Sequence, residues 1–155
     1  MGRKSHVSRH VDVMSFPKTP ALVTDCAVFD MNDRVLLVRR GSEPFKGRYA
    51  LPGGFVDVGE TVEAACAREV EEETGVSISD QRLLLVGVYS KPDRDPRGHT
   101  VSIAYTTRID VSAEPKPGSD AESADWIRDW SSLSLAFNHT EIIADAESLI
   151  QSHWA

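Results

Sequence analysis

The sequence has few cysteines, no long apolar run and no excess of positive charge, and each shortage removes a class of protein. Cys26 and Cys66 are its two cysteines, set in apolar stretches without CxxC spacing. A disulfide framework or cysteine metal site is therefore not expected; the composition fits a reduced, cytoplasmic protein. The longest apolar run, near Leu83 to Val88, has the length of a strand and falls far short of the ~20 residues that span a bilayer. Basic residues near the N-terminus are followed by no apolar signal core, which argues against export. A net charge of -7, from 17 Lys+Arg against 24 Asp+Glu, argues against general nucleic-acid binding, which needs a basic surface to meet phosphates. A small anionic ligand stays compatible where arginines or a bound metal offset the charge locally. Over 155 residues, 41% apolar and 26% charged, the chain can form one globular domain with its own core.

Patterning divides the chain into a polar arm over residues 1–19 and a domain over 20–155. The arm, disordered or paired with a partner, carries His6 and His10 without accompanying ligands. Ala21 to Phe29 and Arg34 to Val38 predict a hairpin around the turn Asp30-Met31-Asn32-Asp33. A helix is predicted from about Thr61 to Thr74, stopped by Gly75. Strands follow over Arg82 to Tyr89, Thr100 to Ile109 and around Trp126, with a closing helix from about His139 to Gln151. Asn138 and Glu141, three residues apart, form a capping box for that last helix. This order of elements predicts an α+β fold, a sandwich with a mixed sheet.

The central helix breaks two local rules. At 100° per residue, Val62, Cys66 and Val70 form its apolar stripe. Glu69 and Glu73 fall within that arc and Glu72 lies at its edge, while Glu71 points to the other side. The glutamates also crowd the C-terminal half, where the helix dipole favours cations. Like charges at i,i+3 and i,i+4 each cost a few tenths of a kcal/mol, and no Lys or Arg in the last turn offsets them. A bound divalent cation turns that repulsion into coordination. Carboxylate ligands suit Mg²⁺ or Mn²⁺, with no Cys/His set to favour zinc.

The stretch Gly54-Phe55-Val56-Asp57-Val58-Gly59-Glu60, followed by Arg68-Glu69-Val70-Glu71-Glu72-Glu73-Thr74-Gly75-Val76, resembles the Nudix box at every fixed position. The resemblance implies a Nudix hydrolase: an α/β/α sandwich with a mixed sheet, cleaving a pyrophosphate bond with divalent metal. It implies that Glu69, Glu72, Glu73 and the Gly54 carbonyl bind metal, with Glu60 and Arg68 forming a structural salt bridge. Pro92, sixteen residues past Val76, stands where ADP-ribose pyrophosphatases carry a marker proline. The run Tyr89 to Tyr105, with Arg94-Asp95-Pro96-Arg97-Gly98-His99 at its centre, is similar to bacterial and archaeal members of that group. So are Thr19-Pro20 and Phe137-Asn138-His139. ADP-ribose, split to AMP and ribose 5-phosphate, is therefore the expected substrate.

Other assignments remain open at this level. Asp120 and Glu122 are the expected sources of a catalytic base, with ordinary loop solvation as the alternative. Arg94 and Arg97 are candidates to meet phosphates, or to stabilise their own loop with Asp93 and Asp95. Pro92 and Tyr105 complete the expected substrate contacts, although strand aromatics commonly serve the core. His139 reads as structural. A homodimer that builds the site across subunits is a further expectation. Competing functions are a pyrophosphohydrolase of oxidised or noncanonical dNTPs and a non-catalytic nucleotide-sugar sensor. Neither nucleic acid nor membrane is an expected partner.

Overall fold

A computed structural model describes residues 15–110 and 113–153. Most of the predicted arm, with His6 and His10, lies outside the described residues. Seven strands form one mixed sheet. Strand β1 (Ala21–Phe29) runs parallel to β6 (Thr100–Arg108) from Ala21↔Thr100 to Phe29↔Arg108. A parallel pair needs a long crossover, and the helix with the glutamates lies within it. On its other edge β1 pairs with β4 (Gly53–Phe55), placing Asp25 opposite Gly53 and Thr24 opposite Gly54.

The expected hairpin is present as a turn but not as a ladder. Asp30 Oδ1 accepts from the Asn32 and Arg34 N–H groups, both at 2.9 Å, and Asp33 takes φ 59°. Strand β2 (Val35–Arg40), two residues longer at its C-terminal end than expected, meets β1 only at Phe29↔Val35. It then turns to β3 (Tyr49–Ala50) and β7 (Ala121–Ile127). The separation leaves the end of β2 and the middle of β1 facing a shared cleft. Among the described residues strand β5 (Leu84–Tyr89) pairs with β6 alone, and it is preceded by a single 3₁₀ turn at Asp80–Arg82.

Period-two alternation builds two cores, one on each face. Cys26, Val28 and Leu36 join Cys66 and Val70 of helix α1 (Val62–Thr74). Ala27, Phe29, Val35 and Leu37 instead meet Ile142, Ile143, Ala146 and Ile150 of helix α2 (His139–His153). The predicted sandwich is thus observed. Cys26 and Cys66 are both free and buried; their mutual hydrogen bond and burial push the Cys26 thiol well above its usual range, which leaves it unreactive. Among the described residues, no helix is long and apolar enough to cross a membrane.

Helix α1 has the ends its sequence predicts. Thr61 Oγ1 accepts from the Ala64 N–H at 3.0 Å, and Gly75 adopts φ 73° with its N–H on Glu71 O. The capping box at α2 is a correction. The Asn138 backbone carbonyl takes the Glu141 and Ile142 N–H groups, but its side-chain oxygen accepts from Arg94 Nε and Nη2 at 3.2 and 2.8 Å. A charged donor there displaces the local cap.

Candidate active site

Helix α1, strand β4 and the end of β2 enclose a cavity of about 520 Å³. Glu69, Glu72, Glu73 and Gly54 all line it, while Glu71 faces outward and accepts from Ser77 Oγ at 2.9 Å. The Glu73 carboxylate accepts from the Gly53 N–H at 3.1 Å. Burial, with Glu69 and Asp25 nearby, pushes its pKa up to about 8 despite that donor. Glu69 is likewise raised, chiefly by burial, with Glu72 contributing and Arg68 opposing. Close approach explains the paired glycines. A Cβ on Gly54 would stand 2.4 Å from Glu69 Oε2, and one on Gly53 would stand 2.2 Å from Thr24 O. Only glycine lets the strand pass so near the carboxylate.

Arg68 ties the loop to the helix as expected. Its Nη2 and Nε reach the Glu60 carboxylate at 2.6 and 3.1 Å, and Nη2 also donates to Phe55 O at 3.1 Å. Its Nη1 lies 3.2 Å from both Glu69 Oε2 and Glu72 Oε1. Among the described residues no three His, Cys, Asp or Glu side chains converge as a ready cage. A cation bound by Glu69 and Glu72 must therefore take over the Arg68 Nη1 contacts. The residues nevertheless fit a hard divalent ion: the donors are all oxygen, two carboxyls are destabilised as anions by burial, and a glycine keeps the approach open.

Guanidiniums balance the glutamates within the same cavity. Arg97 is bound by Asp95, with Nε–Oδ1 at 3.1 Å and Nη2–Oδ2 at 2.8 Å. Arg94, its side chain 5% exposed, spends its donors on Asn138, Thr100 and Asp25. Arg40 donates Nε to Pro44 O at 2.6 Å, and among the described residues no carboxylate lies within ion-pair distance of it. Burial and the Arg97 charge lower its pKa. Arg40 and Arg97 lie 5.0 and 5.7 Å from the centroid of the Phe137 ring, within reach of a cation–π contact that partly offsets their mutual repulsion. Phe137 has φ 51°, a left-handed conformation seldom adopted by an aromatic residue.

A buried network under the cavity holds these groups in place. Asp25 accepts from Ser102 Oγ at 2.6 Å, and Arg94 Nη2 and His139 Nε2 lie 3.5 and 3.4 Å from its carboxylate. Burial pushes the Asp25 carboxyl up, but His139, Ser102 and Arg94 outweigh it and hold the carboxyl below its ordinary value. His139 Nδ1 accepts from the Leu51 N–H at 2.9 Å, which leaves Nε2 to carry the proton toward Asp25. His139 is structural, as its sequence position suggests.

Several expected site residues lie elsewhere. Tyr105 faces the α1-side core with Cys66 and Val70, because strand alternation turns it away from Ala104 and the opposite face. Pro92 is solvent-exposed and outside the cavity lining. Glu122 is exposed, 3.8 Å from Arg39 Nε, and also outside it. Asp120 does line the cavity. It is brought there by a loop that caps α1, with Lys116 N–H on Thr74 O at 2.8 Å and Gly118 N–H on Glu73 O at 3.0 Å. That loop satisfies the C-terminal carbonyls that the helix leaves unpaired. Sequence reasoning missed Asp25 and Arg40. An acidic residue inside an otherwise apolar strand was the available signal for the first.

Fold and cavity together define a class: an α/β/α sandwich that arranges carboxylates and guanidiniums for a polyanion and a divalent ion. The family model described as NUDIX domain matches residues 19–152, and the chain belongs to that family. It is 47% identical over 127 residues to the ADP-ribose pyrophosphatase of Methanocaldococcus jannaschii, covering 81% of this chain and 72% of that enzyme. It is 33% identical to the ADPR responsive transcriptional repressor NtrR of Acinetobacter baylyi over 83% of this chain, but spans only about half, 53%, of that protein. Among solved structures, the NUDIX domain of Shewanella oneidensis NrtR complexed with ADP ribose superposes with TM-score 0.80 at 26% identity, covering 97% of this chain and 99% of that one.

Proposed function

We infer that this chain hydrolyses the phosphoanhydride of a nucleoside diphosphate joined to a second moiety, and that ADP-ribose is its substrate, released as AMP and ribose 5-phosphate. One observation carries the reading: Glu69, Glu72, Glu73 and Gly54 share a single cavity with Arg40, Arg94 and Arg97. The similarity to the M. jannaschii pyrophosphatase and to an ADP-ribose-bound NUDIX domain supports the choice of substrate.

Glu69, Glu72, Glu73 and the Gly54 carbonyl are the ligands for a divalent metal, Mg²⁺ with Mn²⁺ as a substitute. When bound, that metal neutralises phosphoanhydride oxygens and acidifies an attacking water. Arg40, which among the described residues has no carboxylate within ion-pair distance, binds a phosphate oxygen, and Arg97, also beside Phe137, adds positive field. Arg94 acts as a fixed wall, since its donors are already committed. Asp120, at the cavity lining, accepts the proton of the attacking water; Glu122 does not reach it. The protein works in the cytoplasm on a small nucleotide, and a second copy of the chain is its expected partner.

The test is product analysis with purified protein, ADP-ribose and Mg²⁺ or Mn²⁺, alongside a panel of dNTPs. AMP and ribose 5-phosphate in equal amounts support the reading. Rapid turnover of dNTPs with none of ADP-ribose overturns the substrate; ADP-ribose binding without turnover at any metal concentration overturns the enzyme.

A further inference from the structure

Glu73 is engaged at both its side chain and its backbone. The carboxylate accepts from the Gly53 N–H, and the carbonyl oxygen accepts from the Gly118 N–H at 3.0 Å. Gly118, Ser119 and Asp120 all line the glutamate cavity. Two residues of chain span at most about 7 Å, so the hold on Gly118 limits how far Asp120 can stray from the end of helix α1. That hold leaves no room for a side chain. A Cβ on Gly118 would stand 2.6 Å from Glu72 O and 3.3 Å from the Glu73 Cα. Both are backbone atoms of a helix whose Val70 and Thr74 are buried, so neither can give way cheaply.

The other end of the same short segment is held from strand β2. The Gly41 N–H donates to Asp120 O at 3.2 Å, and a Cβ on Gly41 would lie 3.0 Å from that oxygen. A bulge makes this contact possible. Arg39 pairs with Ser123 but Arg40 with Ala121, so Glu122 is passed over. In an unbroken ladder Arg40 would face Glu122, and Gly41 would face Ala121. The bulge brings Asp120 up beside Gly41 and leaves Glu122 outside, near Arg39. The Ala121 N–H closes the segment as a turn on Gly118 O at 3.3 Å.

We propose that Gly118 is a positioning residue for the reaction, and that with the bulge at Glu122 it fixes the Asp120 carboxylate between the glutamate end of α1 and Arg40. The proposal rests on Asp120 as the acceptor of the water proton, inferred above. Gly118 acts through Asp120 and through its hold on Glu73. One residue, Glu73, thus presents a carboxylate to the cation and a carbonyl to the loop. The base and the metal ligands therefore keep one spacing.

Gly118→Ala pushes the 118–120 segment off α1 while the helix, held by its core, stays in place. With ADP-ribose, or the dNTP turned over in its stead, kcat should fall ~10- to 100-fold, the cost of misplacing a reacting group by about 1 Å. KM should change less than ~2-fold, because ground-state binding is kept. Mn²⁺ affinity, read from the paramagnetic resonance signal of the free ion, should match that of the unsubstituted protein. Asp120→Glu extends the carboxylate by one methylene. It should lower kcat in the native background yet raise it in Gly118→Ala, a reversal that a merely structural glycine would not produce. A glycine inserted between Ser119 and Asp120, both exposed, changes the same spacing without touching α1 and should also lower kcat alone. That insertion decides the matter if Gly118→Ala does not fold. Native kcat in either variant, Mn²⁺ affinity lost in step with kcat, or no reversal with Asp120→Glu overturns the proposal. Normal turnover by Asp120→Asn, or no turnover of any substrate by the native protein, overturns the base reading and the proposal together. A slow Asp120→Asn beside a fast Gly118→Ala overturns the positioning role alone.

Discussion

A Glu73→Gln substitution removes one negative charge while keeping the acceptor for the Gly53 N–H, so it isolates what burying that charge costs. The Glu73 pKa is raised from 4.5 to about 8, first by burial and then by Glu69 and Asp25. A carboxyl raised on folding stabilises the protein fully below its unfolded pKa, and that contribution is lost as pH rises through the folded value. The metal-free protein should therefore lose stability between about pH 5 and pH 8.5 as Glu73 ionises in place. Linkage sets an upper limit of about 5 kcal/mol for such a displacement. Water reaching the open side of the cavity brings the working value to roughly 2–3 kcal/mol. For a chain of this size that is a fall in Tm of roughly 5–10 °C. Thermal unfolding in EDTA across this pH range should show the fall, and Glu73→Gln should flatten it and be the more stable protein at pH 8.5. Adding Mg²⁺ should reverse the ranking, because only the native carboxylate gains a ligand charge, and turnover of the variant should drop at least ~100-fold. Calorimetry at pH 7 in buffers of different ionisation enthalpy should record more proton release on Mg²⁺ binding by the native protein than by the variant. Superimposable pH–Tm curves for the two proteins in EDTA would refute the reasoning.

The two adjacent glycines should fail differently. Gly54→Ala pushes on the flexible Glu69 carboxylate and should lower kcat at least ~10-fold with Tm nearly intact, whereas Gly53→Ala meets the Thr24 backbone and should lower Tm or abolish soluble expression. Arg40→Gln should raise KM for ADP-ribose by roughly 10- to 100-fold, the value of a hydrogen bond to a charged group. Arg39→Gln, in an exposed pair with Glu122, should leave steady-state kinetics unchanged. Asp25→Asn strands a buried guanidinium and should cost about 3–5 kcal/mol in denaturant unfolding, well beyond the ~1 kcal/mol expected of Ser102→Ala. Asp120→Asn should remove the acidic limb of the pH–rate profile while Glu122→Gln preserves it; the opposite pattern reassigns the base.

The glutamates of the cavity were legible because a helix converts spacing into direction. Glu69, Glu72 and Glu73 meet one cavity through local geometry alone, and the ends of α1 follow from Thr61 and Gly75. Residues that reach the same cavity from other elements were not legible. Asp25 gains its meaning from β6, where Ser102 lies 77 positions away, and Arg40 from a β2 strand that leaves its hairpin partner after one residue pair. The placement of Tyr105 in the α1-side core was not legible for the complementary reason. An aromatic flanked by Ala104 and Thr106 in a strand covered on both faces does not reveal which face is the core of which helix. Asn138 shows that even a good local signal yields when a charged partner arrives through the tertiary fold.

The polar network belongs to the site and is more than a stabilising feature beneath it. Three segments far apart in sequence meet at Asp25: Leu51–Gly53 through His139 and the β1–β4 pairing, the 91–100 loop through Arg94, and the start of α2 through His139 itself. The first sets the donor to Glu73, and the second supplies the Arg94 wall of the glutamate cavity. A buried charge is a poor way to gain stability, since an apolar replacement often does as well. What it supplies here is position. The donor to Glu73 and the Arg94 wall are fixed relative to each other by one carboxylate, so a displacement of either is felt by both.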